Sequence, residues 1–348
     1  MFTKSIDDFV SIVNRAALEY REPNYNITKK IIRGFPVNDR QFISPNIKKV
    51  ISKNEFYSVN VVTEKLSDIP SFTLAINTLD EYVDVNFSKF ISTVLFTIIV
   101  TLRLVSNNFT EDLDVHLFLI DEPKVLTVVP VSYMDVNSGL TITSGEKRTI
   151  VIFRREEVFK VLIHEVIHAA GAERILYEYI DEINDCIYKL IPWMTPSYHD
   201  RPSEHYVEYL AELILLSLES VIRNYKSEDD NSMLNDVLLN IDREIEHSSK
   251  IIMTVIGKTG LPFRQDSNFI NYYFIRHAMM NLTRKEGTVY LLSRSYDDDD
   301  KFSINDYCEL LKRAIESISD KKLNYFNSSS LPKTTTLRMT TTKIFYDM

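Results

Sequence analysis

The chain has 348 residues, of which 45% are hydrophobic and 26% are charged, so it can bury a substantial core and is not broadly disordered. Its formal net charge of -9 disfavours nucleic acid and anionic membranes as partners. The two cysteines, Cys186 and Cys308, cannot form a disulfide framework, and the first residues lack a signal-peptide pattern, so we expect an intracellular, cytoplasmic protein.

Residues 1–105 are predicted to form a mixed helical and irregular region. It fits either an additional module or a segment that covers an active-site cleft like a propeptide. Within it, the apolar segment from Phe87 to Val105 has only 13 uncharged residues between Lys89 and Arg103, whereas a membrane-spanning helix needs about 20. We therefore predict a buried helix and no membrane span.

Residues 106–325 are predicted to form one α+β domain. Its sheet spans residues 114–153, where short runs rich in β-branched and aromatic residues are separated by turn sequences such as DEPK, DVNS and SGEK. From residue 172 to 325 the hydrophobic period is helical, which indicates a mainly helical C-terminal lobe. The segment 326–348, with NSSS and two TTT runs, is predicted to be a flexible tail.

A helix is predicted at residues 156–170, directly after the sheet. The acidic pair at its start favours the positive N-terminal end, and Gly171 can end it in a left-handed conformation. Apolar residues cover nearly its whole circumference, so we expect it to be buried. It also carries His164, Glu165 and His168, and burying two imidazoles and a carboxylate without partners costs several kcal/mol. A bound metal ion would offset that cost.

The spacing of these three residues fits a catalytic zinc site. His164 and His168 are four residues apart, so their side chains lie on one helix face and both imidazoles can bind one Zn2+ ion. Glu165 lies about 100° around the helix from His164, near the metal but outside ideal coordination geometry. In that position it can act as general base towards a zinc-activated water that attacks a carbonyl carbon.

The HEVIH sequence resembles the HExxH motif of the zincin metallopeptidases. In that family an edge strand that binds substrate precedes the motif helix. Residues 136–153 (VNSGLTITSGEKRTIVIF) are similar to such a hairpin, with Asn137–Thr143 as the edge strand; an ordinary hairpin is the alternative. The resemblance implies a zincin-like α+β fold with a small mixed sheet over the buried active-site helix. It also implies zinc-dependent hydrolysis of a peptide or protein substrate, which would pair with the free backbone of that strand.

A catalytic zinc needs a third protein ligand. The metzincin continuation of the motif requires a histidine where this chain has Arg174, which cannot bind a metal. The later sequence EYLAE instead resembles the gluzincin pattern, in which a glutamate on a second helix binds the metal. This resemblance implies Glu208 as the ligand and Glu212 as the acid that orients His164. Glu204, on the same predicted helix, competes with Glu208 for the ligand role.

A peptidase also benefits from a donor that stabilises the developing oxyanion. The gluzincin resemblance favours a tyrosine or a histidine, and we assign the role to His277, which shares a predicted helix face with Tyr273 and Arg276. Packing in the core is the alternative for these residues. Tyr198 and His199 are rivals for the same role.

Two other functions fit the same residues. The fold and metal can form a catalytically inactive structural or binding scaffold, or the metal site can hydrolyse a non-peptide amide.

Overall fold

The chain folds into mixed α and β structure, as the sequence predicted. The structure is a computed structural model and describes residues 2–34, 43–81, 85–106, 108–125, 131–194, 201–224, 230–259, 265–266, 268–292, 302–318, 337 and 340. The strands in these residues are β1 (Phe2–Ser5), β2 (Tyr25–Arg33), β3 (Glu55–Thr63), β4 (Phe72–Thr78), β5 (Asp112–Phe118), β6 (Val131–Ser132), β7 (Gly139–Ser144), β8 (Lys147–Ile152), β9 (Gln265–Asp266) and β10 (Thr288–Leu291). The α-helices are α1 (Ile6–Leu18), α2 (Pro45–Lys53), α3 (Val85–Val105), α4 (Tyr133–Val136), α5 (Val158–Ala170), α6 (Ile180–Leu190), α7 (Ser203–Asn224), α8 (Asp230–Thr259), α9 (Arg276–Glu286) and α10 (Ile304–Ser317).

Contacts within the chain divide it into two compact units. The described residues of the first, the sheet unit, fall within Arg15–Pro123 and Asn137–Gly171. Those of the second, the helical unit, fall within Met1–Asn14, Lys124–Val136 and Ala172–Thr341. The predicted boundary near residue 105 does not coincide with this division, because the strands before and after it pair in one sheet.

The sheet unit is built on a six-stranded mixed sheet with the order β2-β3-β4-β5-β8-β7. Strands β4, β5 and β8 run parallel, whereas β2, β3 and β7 run antiparallel to their neighbours. Helix α3 follows β4 in the chain and packs against α5. The sheet therefore extends well beyond the predicted span of residues 114–153.

The sequence analysis did not predict the additional strands. Prolines of the N-terminal region lie at the ends of helices and strands and do not interrupt them. Pro45 is the first residue of α2, where its missing N–H has no helical partner to lose, and Ser44 caps that helix by accepting the N–H of Ile47 at 3.3 Å. Pro70 lies just before β4 and outside its hydrogen-bonded ladder. Between these prolines, β3 carries the β-branched residues expected of a sheet strand.

Helix α3 is long and apolar enough, by length and composition alone, to cross a membrane. The segment concerned is Asn86–Val105, and 61% of its most apolar window is buried within the fold. One such helix is weak evidence for a membrane span, since core helices of globular proteins share these properties. Ile98 and Ile99 are fully buried, which fits a core helix. The expectation that the chain has no membrane span stays a prediction.

Helix α7 lies at the centre of the helical unit. It packs against α8, α9 and a π-helical segment, Ile270–Ile275, that leads directly into α9. The helix begins at Ser203, just after Pro202. Residues on every side of α7 are buried, including four of its glutamates. Each of these acids therefore needs a charged or hydrogen-bonding partner inside the protein.

Two residues of the segment that we predicted to be a flexible tail are buried in the helical unit. Leu337 donates its backbone N–H to the carbonyl of Lys124 at 2.8 Å, and the hydroxyl of Tyr273 donates to the carbonyl of Leu337. Thr340 is also buried, with its hydroxyl 3.1 Å from a carboxylate oxygen of Glu212. The prediction does not describe these two positions, and the other residues of 326–348 lie outside the described part of the chain.

Candidate metal centre

The helix that carries the HEVIH sequence forms and is buried, as predicted. A short 3-10 turn, Arg155–Glu157, leads into α5, which ends at Gly171 in a left-handed conformation with a φ of 67°. The N–H of Gly171 donates to the carbonyl of His168 at 3.0 Å. Eleven of the 13 residues of α5 are buried. Its polar side chains are therefore held in an environment largely shielded from solvent.

The two histidines of α5 bring their ring nitrogens together. The Nε2 atoms of His164 and His168 are 3.0 Å apart, with ring centroids separated by 4.6 Å. Two nitrogens at this distance either share one proton or bind one cation. In a tetrahedral zinc site, with zinc–nitrogen bonds of about 2.0–2.1 Å, they would lie about 3.3–3.4 Å apart. The pair therefore needs to move by only a few tenths of an ångström to bind a metal ion.

Strand β7 holds the carboxylate of Glu165. The hydroxyl of Thr141 lies 2.7 Å from Oε2 of Glu165 and 3.0 Å from its backbone carbonyl oxygen. Glu165 is only 5% exposed. The sequence identified Glu165 but gave Thr141 no role, because this contact depends on how the strand packs on the helix.

Strand β7 is also the edge strand that the sequence predicted. It forms an antiparallel hairpin with β8, in which Gly139 lies opposite Ile152 and Ser144 opposite Lys147. It is the last strand in the order of the six-stranded sheet. Among the described residues it has no strand partner on its other side. Its outer backbone groups can therefore pair with an extended peptide.

The two candidates for the third ligand lie on α7, in the helical unit. Glu208, which the sequence pattern favoured, and its competitor Glu204 are four residues apart and so lie one turn apart on this helix. Both side chains are buried. The identity of the third ligand stays a prediction.

The other two acids of the gluzincin-like pattern lie near an arginine of the helical unit. The guanidinium of Arg276 donates to Oε2 of Glu212 at 2.7 Å, and both side chains are almost fully buried. Burial alone would lower the pKa of Arg276, but the charges of Glu212, Glu208 and Glu244 hold it above its ordinary value. The hydroxyl of Thr340 donates to the other oxygen of Glu212 at 3.1 Å. Glu212 therefore forms a buried ion pair with Arg276, and its role in orienting His164 stays a prediction.

His277, the predicted oxyanion donor, has partners within the helical core. Its Nδ1 lies 2.7 Å from the hydroxyl of Ser248, and its Nε2 lies 3.1 Å from the side-chain nitrogen of Asn281. The residue is 2% exposed. These contacts match the alternative reading, a buried histidine with hydrogen-bond partners. Its rivals for the role, Tyr198 and His199, lie outside the described residues.

The paired imidazole nitrogens of His164 and His168 suit a divalent metal. Together with one carboxylate oxygen they make the ligand set of many catalytic zinc sites, which keep a fourth position open for water or substrate. The same set also binds other first-row divalent metals. The histidine pair can therefore supply two ligands to a metal ion, and its chemistry is compatible with zinc.

Comparison with known proteins found no match. No family model, no curated protein and no solved structure matches the chain. Functional inference therefore depends on the HEVIH sequence and on the geometry around it.

Proposed function

We propose that this chain is a zinc-dependent metallopeptidase whose metal is bound by His164, His168 and a glutamate of α7. The observation that carries the proposal is the convergence of two imidazole nitrogens to 3.0 Å on a buried helix, with Glu165 next to the first histidine in sequence. The buried ring of His164, the half-buried ring of His168 and the buried carboxylate of Glu165 are costly to desolvate, and a divalent cation compensates for that cost. Of the two candidate ligands on α7, Glu208 is one of the acids whose charge acts on Arg276, which leaves Glu204 for the metal.

Zinc at this site would lower the pKa of a bound water and polarise the carbonyl of the scissile bond. The chain supplies the proton transfers: Glu165 accepts a proton as general base and later donates it to the leaving amine. Its carboxylate is held by the hydroxyl of Thr141 at 2.7 Å, so it does not have to be ordered when substrate binds. Burial of α5 keeps bulk water from competing for these groups.

The proposed substrate is a peptide or protein segment in extended conformation. Strand β7 lies at the sheet edge and contacts α5, the helix that carries Glu165. A peptide that pairs with the outer side of β7 would lie along the strand that holds the general base. Backbone pairing of this kind gives affinity with little dependence on side chains. This supports a peptide as substrate over a small non-peptide amide.

Metal analysis and one conservative substitution test this proposal. The purified protein should bind about one zinc ion per chain, and His164→Ala should lose it. Glu165→Gln should keep the metal while turnover of a peptide library falls by about 100-fold or more, since only the proton acceptor is removed. Glu182→Gln, which changes an exposed glutamate on α6, is the matched control and should leave both measurements unchanged.

Two results would overturn the proposal. The first is a wild-type protein that binds no divalent metal, and the second is a Glu165→Gln variant with undiminished turnover. Zinc binding without cleavage of any library peptide would instead favour a scaffold or a non-peptide amide as substrate. An amide panel then separates these two alternatives.

A further inference from the structure

We infer that Thr141 is a positioning residue for the general base, and that Gly139 keeps the space in which that base lies. The inference rests on the proposed function of Glu165 and concerns two residues outside the HEVIH sequence. Both lie on β7, and Glu165 lies on α5, so all three belong to the sheet unit.

The hydroxyl of Thr141 contacts Glu165 at two points. It lies 2.7 Å from Oε2 and 3.0 Å from the backbone carbonyl oxygen. A threonine hydroxyl has one proton to donate, and a carboxylate is a stronger acceptor than a neutral carbonyl. The proton therefore goes to Oε2 when Glu165 is ionised. One strand residue thus contacts both the backbone and the flexible end of the glutamate, which restricts its side-chain rotamers.

A glycine is needed at position 139 because a side chain would not fit there. Its backbone conformation is one that other residues can adopt. A Cβ atom at this position would lie 2.9 Å from Oε1 and 3.1 Å from Cγ of Glu165, and 2.7 Å from Cγ1 of Val161. Residues two apart on a strand face the same side, so Gly139 and Thr141 both face α5. The glycine leaves room for one carboxylate oxygen while the threonine binds the other. Together they define a single location for the Glu165 carboxylate.

The chain offers a closely matched set of variants. Thr141→Val keeps the shape of the side chain but removes its donor, and Thr141→Ser restores the donor. Thr149→Val makes the same change in the partner strand β8. Thr149 lies opposite Ile142 in the register, so it belongs to the other face of the hairpin. It is the control for loss of a strand hydroxyl.

Steady-state kinetics of the zinc-loaded protein form the first test. Thr141→Val should lower kcat by about 10- to 100-fold with KM within about twofold, because the base is misplaced while the peptide-binding edge is intact. Thr141→Ser should recover most of kcat, and Thr149→Val should behave like wild type. Gly139→Ala should also lower kcat, since the added methyl displaces Glu165. Wild-type kcat in Thr141→Val, or no recovery in Thr141→Ser, overturns the inference.

A second test needs no activity. Thr141→Val should lower the thermal midpoint of the metal-free protein. The shift should be smaller in a Glu165→Ala background, where the stronger bond to the carboxylate is already absent and only the backbone carbonyl remains as acceptor. Equal shifts in the two backgrounds would mean that Thr141 acts independently of the Glu165 side chain, which also overturns the inference. If Glu165→Gln keeps full turnover while the two thermal shifts differ, the proposed function fails but the contact stands. If Glu165→Gln is inactive and Thr141→Val is not, the positioning role alone fails.

Discussion

The choice between Glu204 and Glu208 as third metal ligand can be decided by two substitutions of the same kind. Glu204→Gln and Glu208→Gln each replace a buried carboxylate on α7 by an amide of nearly equal size. Glu208 contributes to the charge around Arg276, which has Glu212 as its direct partner. We therefore expect only the first substitution, Glu204→Gln, to remove a metal ligand.

The expected difference is large. Zinc sites in small proteins have apparent binding free energies of roughly 10–16 kcal/mol for four ligands, or about 2.5–4 kcal/mol for each ligand. Because 1.4 kcal/mol corresponds to a factor of 10, loss of one ligand should weaken zinc binding by about 60- to 700-fold. Glu208→Gln should change the affinity by less than about 10-fold, through the loss of one nearby negative charge.

Competition with a chromophoric zinc chelator measures both affinities. Thermal unfolding without metal should accompany it, because a variant that fails to fold would lose zinc for a trivial reason. A strong loss in Glu208→Gln with near-normal binding in Glu204→Gln would refute the assignment from the structure and restore the gluzincin-like one. Near-normal binding in both variants would exclude both glutamates as ligands.

Three further predictions concern the stability of the two units. Arg276→Met should lower the free energy of unfolding by about 3–5 kcal/mol in denaturant titrations, because it leaves Glu212 buried without its cation; an unchanged midpoint would contradict the ion pair. Thr340→Val should cost about 1–3 kcal/mol in the same assay and Thr340→Ser much less, since the hydroxyl lies 3.1 Å from carboxylate oxygens of both Glu212 and Glu244. Burial lowers the pKa of His116 in β5, so the folded state favours the neutral ring. The free energy of unfolding should therefore fall as the pH drops below about 6.5, where the unfolded chain takes up the proton more readily than the folded one. His116→Gln should show a flatter dependence of this free energy on pH.

Local sequence signals were sufficient for the parts of the fold that depend on neighbouring residues. The apolar circumference and Gly171 predicted a buried helix that ends in a left-handed residue, and α5 has both features. The β-branched runs and turn sequences of residues 136–153 predicted the hairpin of β7 and β8. The four-residue spacing of His164 and His168 predicted that their imidazoles would converge. In each case the relevant geometry is fixed within about one turn of helix or one hairpin.

Contacts made over long sequence separations were less predictable. The pairing of β4 with β5 joins strands on either side of α3, and no short-range pattern indicates it. The hydrogen bond between Thr141 and Glu165 joins residues that are 24 positions apart and requires a particular packing of strand on helix. Burial of Leu337 depends on Lys124 and Tyr273, which are far away in the chain. A Ser/Thr-rich composition gives no indication of such partners.

The third ligand is hard to assign from the sequence for a general physical reason. Glu204, Glu208 and Glu212 recur once per turn on one buried helix, and a buried carboxylate needs a cation, which can be a metal ion or an arginine. A motif specifies which residues are acidic, but it does not specify where the cations lie. Arg276 provides a cation for the later part of α7. The position of Arg276, which is distant in the chain, therefore determines which of these three glutamates is left to bind the metal. The sequence of α7 alone does not contain that information.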